Sequence, residues 1–222
     1  MAKVRLMRRV LADNDALAAG QLALLDKHGV FSVNIMSGPG SGKTSLIERT
    51  IEGLGGEWRI HVIEGDIQGD LDARRVAARG VDCTQINTRG ACHLDGMMLG
   101  PVFSGLNLKK IDLLIIENVG NLVCPAEFRL PAHANVTILS TPEGSDKPAK
   151  YPLMFTKSDV LVVNKIDLLE HVDFDMKALE KSVRRLKPDL AILPLSCRNG
   201  EGLGAWFDWL DVRVRRNRRR RR

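Results

Sequence analysis

A glycine-rich stretch over residues 37–45, Ser-Gly-Pro-Gly-Ser-Gly-Lys-Thr-Ser, constrains the fold of this chain more than any other feature. It follows an apolar segment, 31–36, and precedes an amphipathic one, 44–54, which predicts a strand, a tight turn and a helix. Glycines let backbone N–H groups approach phosphate oxygens, Lys43 adds a positive charge, and Thr44 offers a hydroxyl to Mg²⁺. We interpret the stretch as a phosphate-binding loop; the alternative is a glycine-rich turn without a ligand.

Most of this loop is predicted to contact a nucleotide. Ser37 stands where the usual pattern has glycine, so the match is irregular at one position. We expect Lys43 and the loop amides to stabilise phosphate charge during hydrolysis. The predicted contact residues are Gly38, Gly40, Ser41, Gly42, Lys43, Thr44 and Ser45.

Apolar segments of strand length alternate with amphipathic segments of helix length along the rest of the chain. This alternation predicts an α/β fold of the P-loop NTPase type, with a mostly parallel central sheet flanked by helices. An N-terminal helix is predicted over about residues 5–28, and a single domain over 1–212. Strands are predicted at 31–36, 59–64, 82–87, 111–117, 135–140, 159–163 and 191–195, a proline-interrupted helix at 147–155, and further helices at 174–186 and 202–212.

The net charge of +6 comes from the carboxyl-terminal end of the chain. Eight arginines follow the last acidic residue, Asp211, and without them the formal charge falls from +6 to −2. The body of the protein is therefore not basic, and a dedicated nucleic-acid-binding domain is not expected. We predict a disordered tail over residues 213–222; an electrostatic contact with nucleic acid or an acidic membrane is the alternative.

Composition also bears on the compartment. The amino-terminal residues carry charges, and no apolar run approaches the roughly 20 residues that a membrane span needs. Four scattered cysteines are too few for a disulfide framework. These features predict a cytoplasmic protein without a membrane partner.

Two acidic residues are candidates for magnesium binding. Glu117 ends an apolar segment three residues before Gly120, which is typical of a turn that senses Mg²⁺ and the γ-phosphate. Asp66 ends another predicted strand, and the carboxyl ends of parallel strands share one edge of a sheet. We predict that Thr44 with either Asp66 or Glu117 holds Mg²⁺, and that Asp66 or a water near Gly120 helps to position the nucleophile.

The segment Asn164-Lys165-Ile166-Asp167 is typical of guanine recognition. A carboxylate at Asp167 can accept hydrogen bonds from two adjacent donors of guanine, whereas adenine offers no such pair. Lys165 can lie along the base, and Asn164 can brace the loops. A second base-contacting turn is predicted after the last strand, at Ser196 and Cys197. Together the motifs favour a GTPase, with an ATP-dependent kinase as the competing class.

Cys92, His93 and Cys124 fall in two loops predicted at the same end of the sheet. Thiolate and imidazole ligands suit zinc or nickel, and three of them leave an open coordination position. Ordinary core and loop residues are the alternative interpretation. Cys124 follows Glu117 closely, so a nucleotide-dependent turn could move it. No metal role is predicted for Cys83, His61, His133 and His171.

With these motifs in place, the sequence resembles the hydrogenase nickel-incorporation GTPases, the HypB type within the nickel-handling P-loop GTPases. The most specific segments are 92–95, 117–128 and 146–155. The resemblance implies GTP-promoted homodimerisation, with a nickel or zinc site made by Cys92, His93 and Cys124 at the dimer interface. It also implies transfer of nickel to a [NiFe]-hydrogenase large-subunit precursor together with a small metallochaperone. Lys150 matches a family lysine tied to dimer contacts.

The sequence therefore predicts a GTPase that gates nickel delivery during [NiFe]-hydrogenase maturation. A urease-type nickel GTPase is a second interpretation, but such proteins carry Cys-Pro-His where Cys92 and His93 are contiguous here. A third is a carrier that binds nucleotide and metal without hydrolysis.

Overall fold

The computed structural model of the chain describes residues 2–67 and 69–219, and it describes side chains from residue 8 onward. The strands are β1 (Phe31–Ser37), β2 (Ile60–Asp66), β3 (Asp82–Asn87), β4 (Leu113–Glu117), β5 (Ala134–Ser140), β6 (Val160–Asn164) and β7 (Ala191–Pro194). The α-helices are α1 (Ala2–His28), α2 (Lys43–Leu54), α3 (Leu71–Ala77), α4 (Gly96–Gly105), α5 (Cys124–Glu127), α6 (Lys147–Lys150), α7 (Pro152–Thr156), α8 (Met176–Leu186) and α9 (Leu203–Arg219).

Within the described residues, the seven strands form one sheet in the order β3-β2-β4-β1-β5-β6-β7. All the pairings between these neighbours are parallel. β1, β4 and β6 are buried along their whole length, as parallel strands covered on both faces must be. The predicted α/β fold is confirmed, and its sheet is wholly parallel in the described part of the chain. All the strands therefore end at one edge, which we call the carboxyl edge.

Helices cover both faces of the sheet because successive strand residues point to opposite sides. On one face, α2 and α9 pack on β1 through side chains such as Leu46 and Trp206. On the other face, α1 and α4 cover the β2 and β4 side, while α7 and α8 cover β5 and β6. The predicted N-terminal helix is confirmed, and it ends where Gly29 takes a φ of 65°. The predicted helix at 147–155 is two short helices, each with a proline in its first turn.

The last helix, α9, corrects the prediction for the carboxyl-terminal end. The helix was expected to stop at residue 212, with a disordered tail from 213, but it continues to Arg219. The prediction is therefore wrong for residues 213–219, while 220–222 lie outside the described residues. Arg213 stacks on Trp209 at 3.8 Å from the ring centre, and Arg215 pairs with Asp211 and Glu57. These contacts keep the basic turns helical.

Among the helices of the described residues, none is long and apolar enough to cross a membrane.

Asp112, just before β4, joins the beginnings of β2 and β4 through Arg59. Its carboxylate accepts hydrogen bonds from Arg59 Nε at 2.7 Å and Nη2 at 2.8 Å, and its side chain is only 6% exposed. We expect Asp112→Asn to lower the free energy of unfolding by about 2 kcal/mol at pH 7, because the charged pair is lost while a polar group stays buried. Urea unfolding followed by tryptophan fluorescence measures this, with the exposed Asp208→Asn as control.

The loss of stability caused by Asp112→Asn should depend on pH. Hydrogen bonds from Arg59 hold the pKa of Asp112 below its ordinary value of 3.8. The charged pair therefore stabilises the fold above that pH, and its contribution is lost as the pH falls through the lower pKa of the folded state. The difference between wild type and Asp112→Asn should be full at pH 7 and should narrow below 3.8. A difference that stays constant down to acid pH would contradict this account.

Candidate nucleotide and metal site

The phosphate-binding loop joins β1 to α2 in backbone conformations that favour glycine. Gly40 and Gly42 have φ values of 73° and 99°, in the left-handed region that other residues rarely adopt. A Cβ on Gly42 would also collide with Nδ2 of Asn164. α2 begins at Lys43, and the first N–H groups of a helix have no partner within it. This arrangement suits an anion such as a phosphate group.

Polar side chains brace the loop from both sides. Lys43 Nζ donates to Ser37 Oγ at 3.4 Å, so the irregular serine contacts the loop's cation. Ser41 Oγ donates to Oε2 of Glu143 at 2.7 Å, and the same oxygen accepts the N–H of Ser140. Sequence reasoning missed Glu143, although Ser140 and Glu143 have the spacing of a capping box.

Glu117 is the acidic residue that reaches the loop. Its Oε1 accepts a hydrogen bond from Thr44 Oγ1 at 2.9 Å, and only 2% of Glu117 is exposed. Its Oε2 has no hydrogen-bond partner among the described residues. Burial raises the pKa of Glu117 to about 7, although Lys43 and the Thr44 hydroxyl oppose the shift. A hydroxyl beside an unpartnered carboxylate oxygen fits the oxygen ligands that Mg²⁺ prefers.

Asp66, the other magnesium candidate, closes its own turn. Its carboxylate accepts hydrogen bonds from the N–H groups of Ile67 at 2.6 Å and Gly69 at 3.1 Å. Asp66 lies at the same edge of the sheet as Glu117, but Thr44 bonds to Glu117. The predicted alternatives therefore occupy different places: Glu117 borders the loop and Asp66 shapes the turn after β2.

Glu64 is an acidic residue that sequence reasoning missed. It pairs in register with Glu117 on the neighbouring strand, is 2% exposed, and its Oε2 lacks a hydrogen-bond partner among the described residues. Burial, followed by the charge of Glu117, raises the pKa of Glu64 to about 8. The signal available in the sequence was a carboxylate directly after the apolar residues Val62 and Ile63 of a predicted strand. Its proximity to Glu117 depends on strand order.

The predicted sensing turn touches the loop directly. A Cβ on Gly120 would lie 3.1 Å from the Cα of Pro39 and 3.4 Å from Nζ of Lys43. Within the same turn, Asn118 Oδ1 accepts the N–H of Leu94 at 3.0 Å. Leu94 directly follows His93 in the chain. The buried side-chain amide of Asn118 therefore links the turn beside the phosphate loop to the segment that carries Cys92 and His93.

The guanine-recognition segment is attached to the phosphate loop. Asn164 Nδ2 donates to Ser41 O at 2.9 Å, and Lys165 Nζ donates to Gly40 O at 2.7 Å. Lys165 has a φ of 63°, so the chain turns sharply after β6. These bonds place the segment beside the loop, as a base-recognition segment requires.

The turn after β7 supports both ends of this segment. Ser196 Oγ donates to Asp167 Oδ1 at 2.5 Å, and the N–H of Cys197 donates to Asn164 Oδ1 at 3.2 Å. Cys197 contributes through its backbone, and burial raises the pKa of its thiol to about 11. The predicted residues Ser196 and Cys197 are thus brought to the segment. Ser45, the last residue of the loop, accepts a hydrogen bond through Oγ from Nη2 of Arg75 at 3.4 Å.

Cys92, His93 and Cys124 come together at the carboxyl edge. One ligand atom from each lies within 4.8 Å of the others, and the group is partly buried. The two Sγ atoms are 2.7 Å apart, and Cys92 Sγ is 3.6 Å from Nδ1 of His93. Among the described residues, this is the group of three whose geometry could hold a metal ion.

The surroundings of the three residues favour a thiolate and imidazole site. His93 stacks on Phe128 with 3.8 Å between ring centres, and burial lowers the pKa of His93, which favours the neutral imidazole that binds metals. A hydrogen bond with Cys92, and then burial, raises the pKa of the Cys124 thiol, so Cys124 keeps its proton without a metal and would release it on metal binding. Two sulfurs and one nitrogen suit zinc or nickel with one position left open.

His61 and His133, for which no metal role was predicted, contact other side chains. His61 Nε2 contacts Thr84 Oγ1 at 3.0 Å, and His133 contacts Asp26 through Nε2 at 3.1 Å. Burial raises the pKa of the Cys83 thiol to about 11. None of these residues belongs to a group that could hold a metal among the described residues.

A parallel sheet with a phosphate-binding loop between β1 and α2 defines a nucleotide-binding protein of the P-loop class. The chain matches the family described as "CobW/HypB/UreG, nucleotide-binding domain" over residues 32–194. It belongs to this family, and the resemblance found from the motifs is confirmed.

Named relatives agree with this assignment. The chain is 48% identical to "Hydrogenase maturation factor HypB" of Azotobacter vinelandii over 208 residues, which cover 94% of this chain and 69% of the relative. The crystal structure of HypB from Helicobacter pylori in complex with nickel has a TM-score of 0.88 and 38% identity, and covers 92% of this chain and 96% of its own. The structure of HypB from Archaeoglobus fulgidus has a TM-score of 0.86 and 37% identity, and covers 92% and 100%.

Proposed function

We propose that this chain is a GTP-hydrolysing metallochaperone that gates nickel delivery during [NiFe]-hydrogenase maturation. The observation that carries the proposal is the hydrogen bond from Leu94 N–H to Asn118 Oδ1 at 3.0 Å. It joins the metal candidates to the turn beside the phosphate loop. The relatives named as hydrogenase maturation factors, one of them solved with nickel, support the choice of cargo and pathway.

The nucleotide half of the proposal assigns a task to each group at the carboxyl edge. The loop amides and Lys43 hold the phosphates, and Asp167, braced by Ser196, accepts the base donors of guanine. Thr44 and Glu117 would hold Mg²⁺, which when bound neutralises charge on phosphate oxygens. The remaining task, positioning of the attacking water, belongs to Asp66 or to the backbone near Gly120.

The metal half depends on where the ligands are attached. Cys124 begins α5, four residues after Gly120, and Asn121 Nδ2 contacts its Sγ at 3.4 Å. Cys92 and His93 are attached to the same turn from the other side, through Leu94 and Asn118. A shift of the turn when the γ-phosphate leaves would therefore move the two sulfurs relative to each other. Hydrolysis could thereby release nickel.

The proposed assembly is a homodimer promoted by GTP, which receives or passes nickel with a small metallochaperone and the hydrogenase large-subunit precursor. Because Cys92, His93 and Cys124 are partly exposed, a second copy could supply further ligands. Lys150 pairs with Asp146 at 2.5 Å on the surface, with side chains 59% and 53% exposed. A partner chain could therefore reach Lys150.

Hydrolysis is tested by single-turnover release of phosphate from GTP. We expect Thr44→Ala to slow the reaction by about a hundredfold or more, because the hydroxyl beside Glu117 is lost from a site that works by charge stabilisation. Thr156→Ala is the matched control, since this exposed threonine donates to the carbonyl oxygen of Leu153 and is not part of the phosphate-binding loop. If the wild type released phosphate no faster than buffer alone, the proposed GTPase activity would be refuted. The alternative of a nucleotide-dependent metal carrier would remain.

A further inference from the structure

A cavity of about 460 Å³ lies at the opposite edge of the sheet from the nucleotide and metal residues. Its floor is formed by the beginnings of β1, β5 and β7, including Phe31 and Ala191, and its side by α9. Since all strands run the same way, this amino edge is a full strand length from the carboxyl edge. The cavity is thus separate from the site described above.

The end of α9 places a buried polar group against this cavity. The buried stripe of the helix consists of Leu203, Trp206, Leu210, Val214 and Asn217. The spacing predicts an apolar residue at the last position, but Asn217 stands there, 5% exposed. Its Nδ2 has no hydrogen-bond partner among the described residues. An unpartnered buried donor costs about 1–3 kcal/mol, and because Nδ2 can only donate, it calls for an acceptor.

Positive charge prevails along the cavity wall. The cations Lys187, Arg213 and Arg216 line it together with two carboxylates, Asp159 and Asp189. Asp159 Oδ2 already accepts the N–H of Asn135 at 2.8 Å. Lys187 Nζ is engaged with the carbonyl oxygen of Ser158 at 2.5 Å.

Two guanidinium groups keep donors for a ligand. Arg213 is fixed by Trp209, on whose ring it stacks at 3.8 Å and to whose carbonyl oxygen Nη1 donates at 3.0 Å. Its other N–H groups have no hydrogen-bond partner among the described residues. Arg216, at the exposed mouth, makes no ion pair within residues 8–67 and 69–219. A fixed guanidinium suits planar or tetrahedral oxyanions because its donors are held in a fork.

We propose that this cavity binds a small oxyanion, a phosphate or a carboxylate, which accepts hydrogen bonds from Asn217 Nδ2 and from the guanidinium groups of Arg213 and Arg216. The apolar wall at Phe31 and Leu190 leaves room for an organic part of the ligand. The site uses residues of the basic helix that lie beyond the family match, which ends at residue 194.

The test is calorimetric titration of the full chain with sodium phosphate and, separately, with sodium succinate at constant ionic strength. A non-hydrolysable GTP analogue and Mg²⁺ are present throughout to occupy the phosphate loop, including the position of the γ-phosphate. We expect saturable one-to-one binding of at least one anion, weakened about tenfold or more by Arg216→Gln, since a hydrogen bond to a charged group contributes about 1.5–3 kcal/mol. Binding of phosphate alone would indicate a phosphorylated ligand, and binding of succinate alone a carboxylate.

Two further variants keep the test decisive. Asn217→Leu completes the apolar stripe and removes the unpartnered donor, so it should preserve or raise the melting temperature while abolishing anion binding. Arg218→Gln removes the same charge from the same helix, but Arg218 lies over Trp58 at 5.8 Å and should leave the affinity unchanged. Absence of saturable binding for both anions would overturn the proposal. So would equal weakening by Arg216→Gln and Arg218→Gln, because this result would indicate general attraction to a basic helix.

Discussion

Replacing Asp167 by asparagine is expected to lower the affinity for GTP by about a thousandfold and to make xanthosine triphosphate the better ligand. A carboxylate accepts from the two adjacent donors of guanine, the ring N–H and the exocyclic amine. An asparagine side chain offers one acceptor and one donor, which match the ring N–H and the neighbouring carbonyl of xanthine. The variant therefore exchanges one hydrogen-bond pattern for another.

The local structure should survive this substitution. Ser196 Oγ donates to Asp167 Oδ1, and the carbonyl oxygen of asparagine can accept the same bond. Displacement of a fluorescent guanine nucleotide by GTP, xanthosine triphosphate and ATP measures the change. Asp173→Asn, an exposed change of the same kind six residues later, is the matched control. Equal loss of GTP and ATP binding would contradict the guanine assignment.

Removing either sulfur of the metal group is expected to lower nickel affinity by about a hundredfold or more, since about 10–16 kcal/mol for a four-ligand zinc-finger site averages to roughly 3 kcal/mol per ligand. Cys92→Ala and Cys124→Ala each leave two of the three donors, too few to hold an ion tightly. Competition with a chromophoric chelator measures the affinities for nickel and zinc. Cys83→Ala is the control, because Cys83 lies outside the group.

The same titration tests whether nucleotide and metal are coupled. Wild-type nickel affinity should differ between the complex with a GTP analogue and the complex with GDP, by about five- to 150-fold if the coupling is of ordinary size. Identical affinities in the two complexes would refute gating while leaving metal binding intact. Unchanged nickel affinity in both cysteine variants would instead show that Cys92 and Cys124 are ordinary loop residues without a metal role.

Local pattern was sufficient for the predicted architecture. The alternation of apolar and amphipathic segments predicted all the strands of the described sheet to within two residues at either end. Burial on both faces makes a central strand such as β4 continuously apolar, whereas the edge strand β3 is only partly buried. The glycine loop, the turn at Gly120 and the segment at Asn164 were predicted because their chemistry needs particular residue types at short, fixed spacing. The two metal loops were expected to meet because strands of a parallel sheet end at one edge, and Cys92 and Cys124 do meet there.

The prediction for residues 213–219 was wrong because it gave more weight to the run of arginines than to the helical spacing of the buried residues. A run of arginines is typical of a disordered segment, yet the helical stripe of α9 continues through Val214 and Asn217. Partners far away in sequence, Trp58 and Glu57, receive the arginines that would otherwise repel one another. No local pattern contains these contacts.

The sequence by itself determined the residue types at the site: a phosphate loop, a base-reading aspartate and three soft metal donors. Only the tertiary structure decided which of them touch. Thr44 bonds to Glu117, while Asp66 closes its own turn. Glu64 comes beside Glu117 through strand register, and Asn118 reaches Leu94 across the edge of the sheet. The physical reason is that residue chemistry and short-range periodicity are local properties, whereas contacts between strands and loops depend on how the whole chain packs.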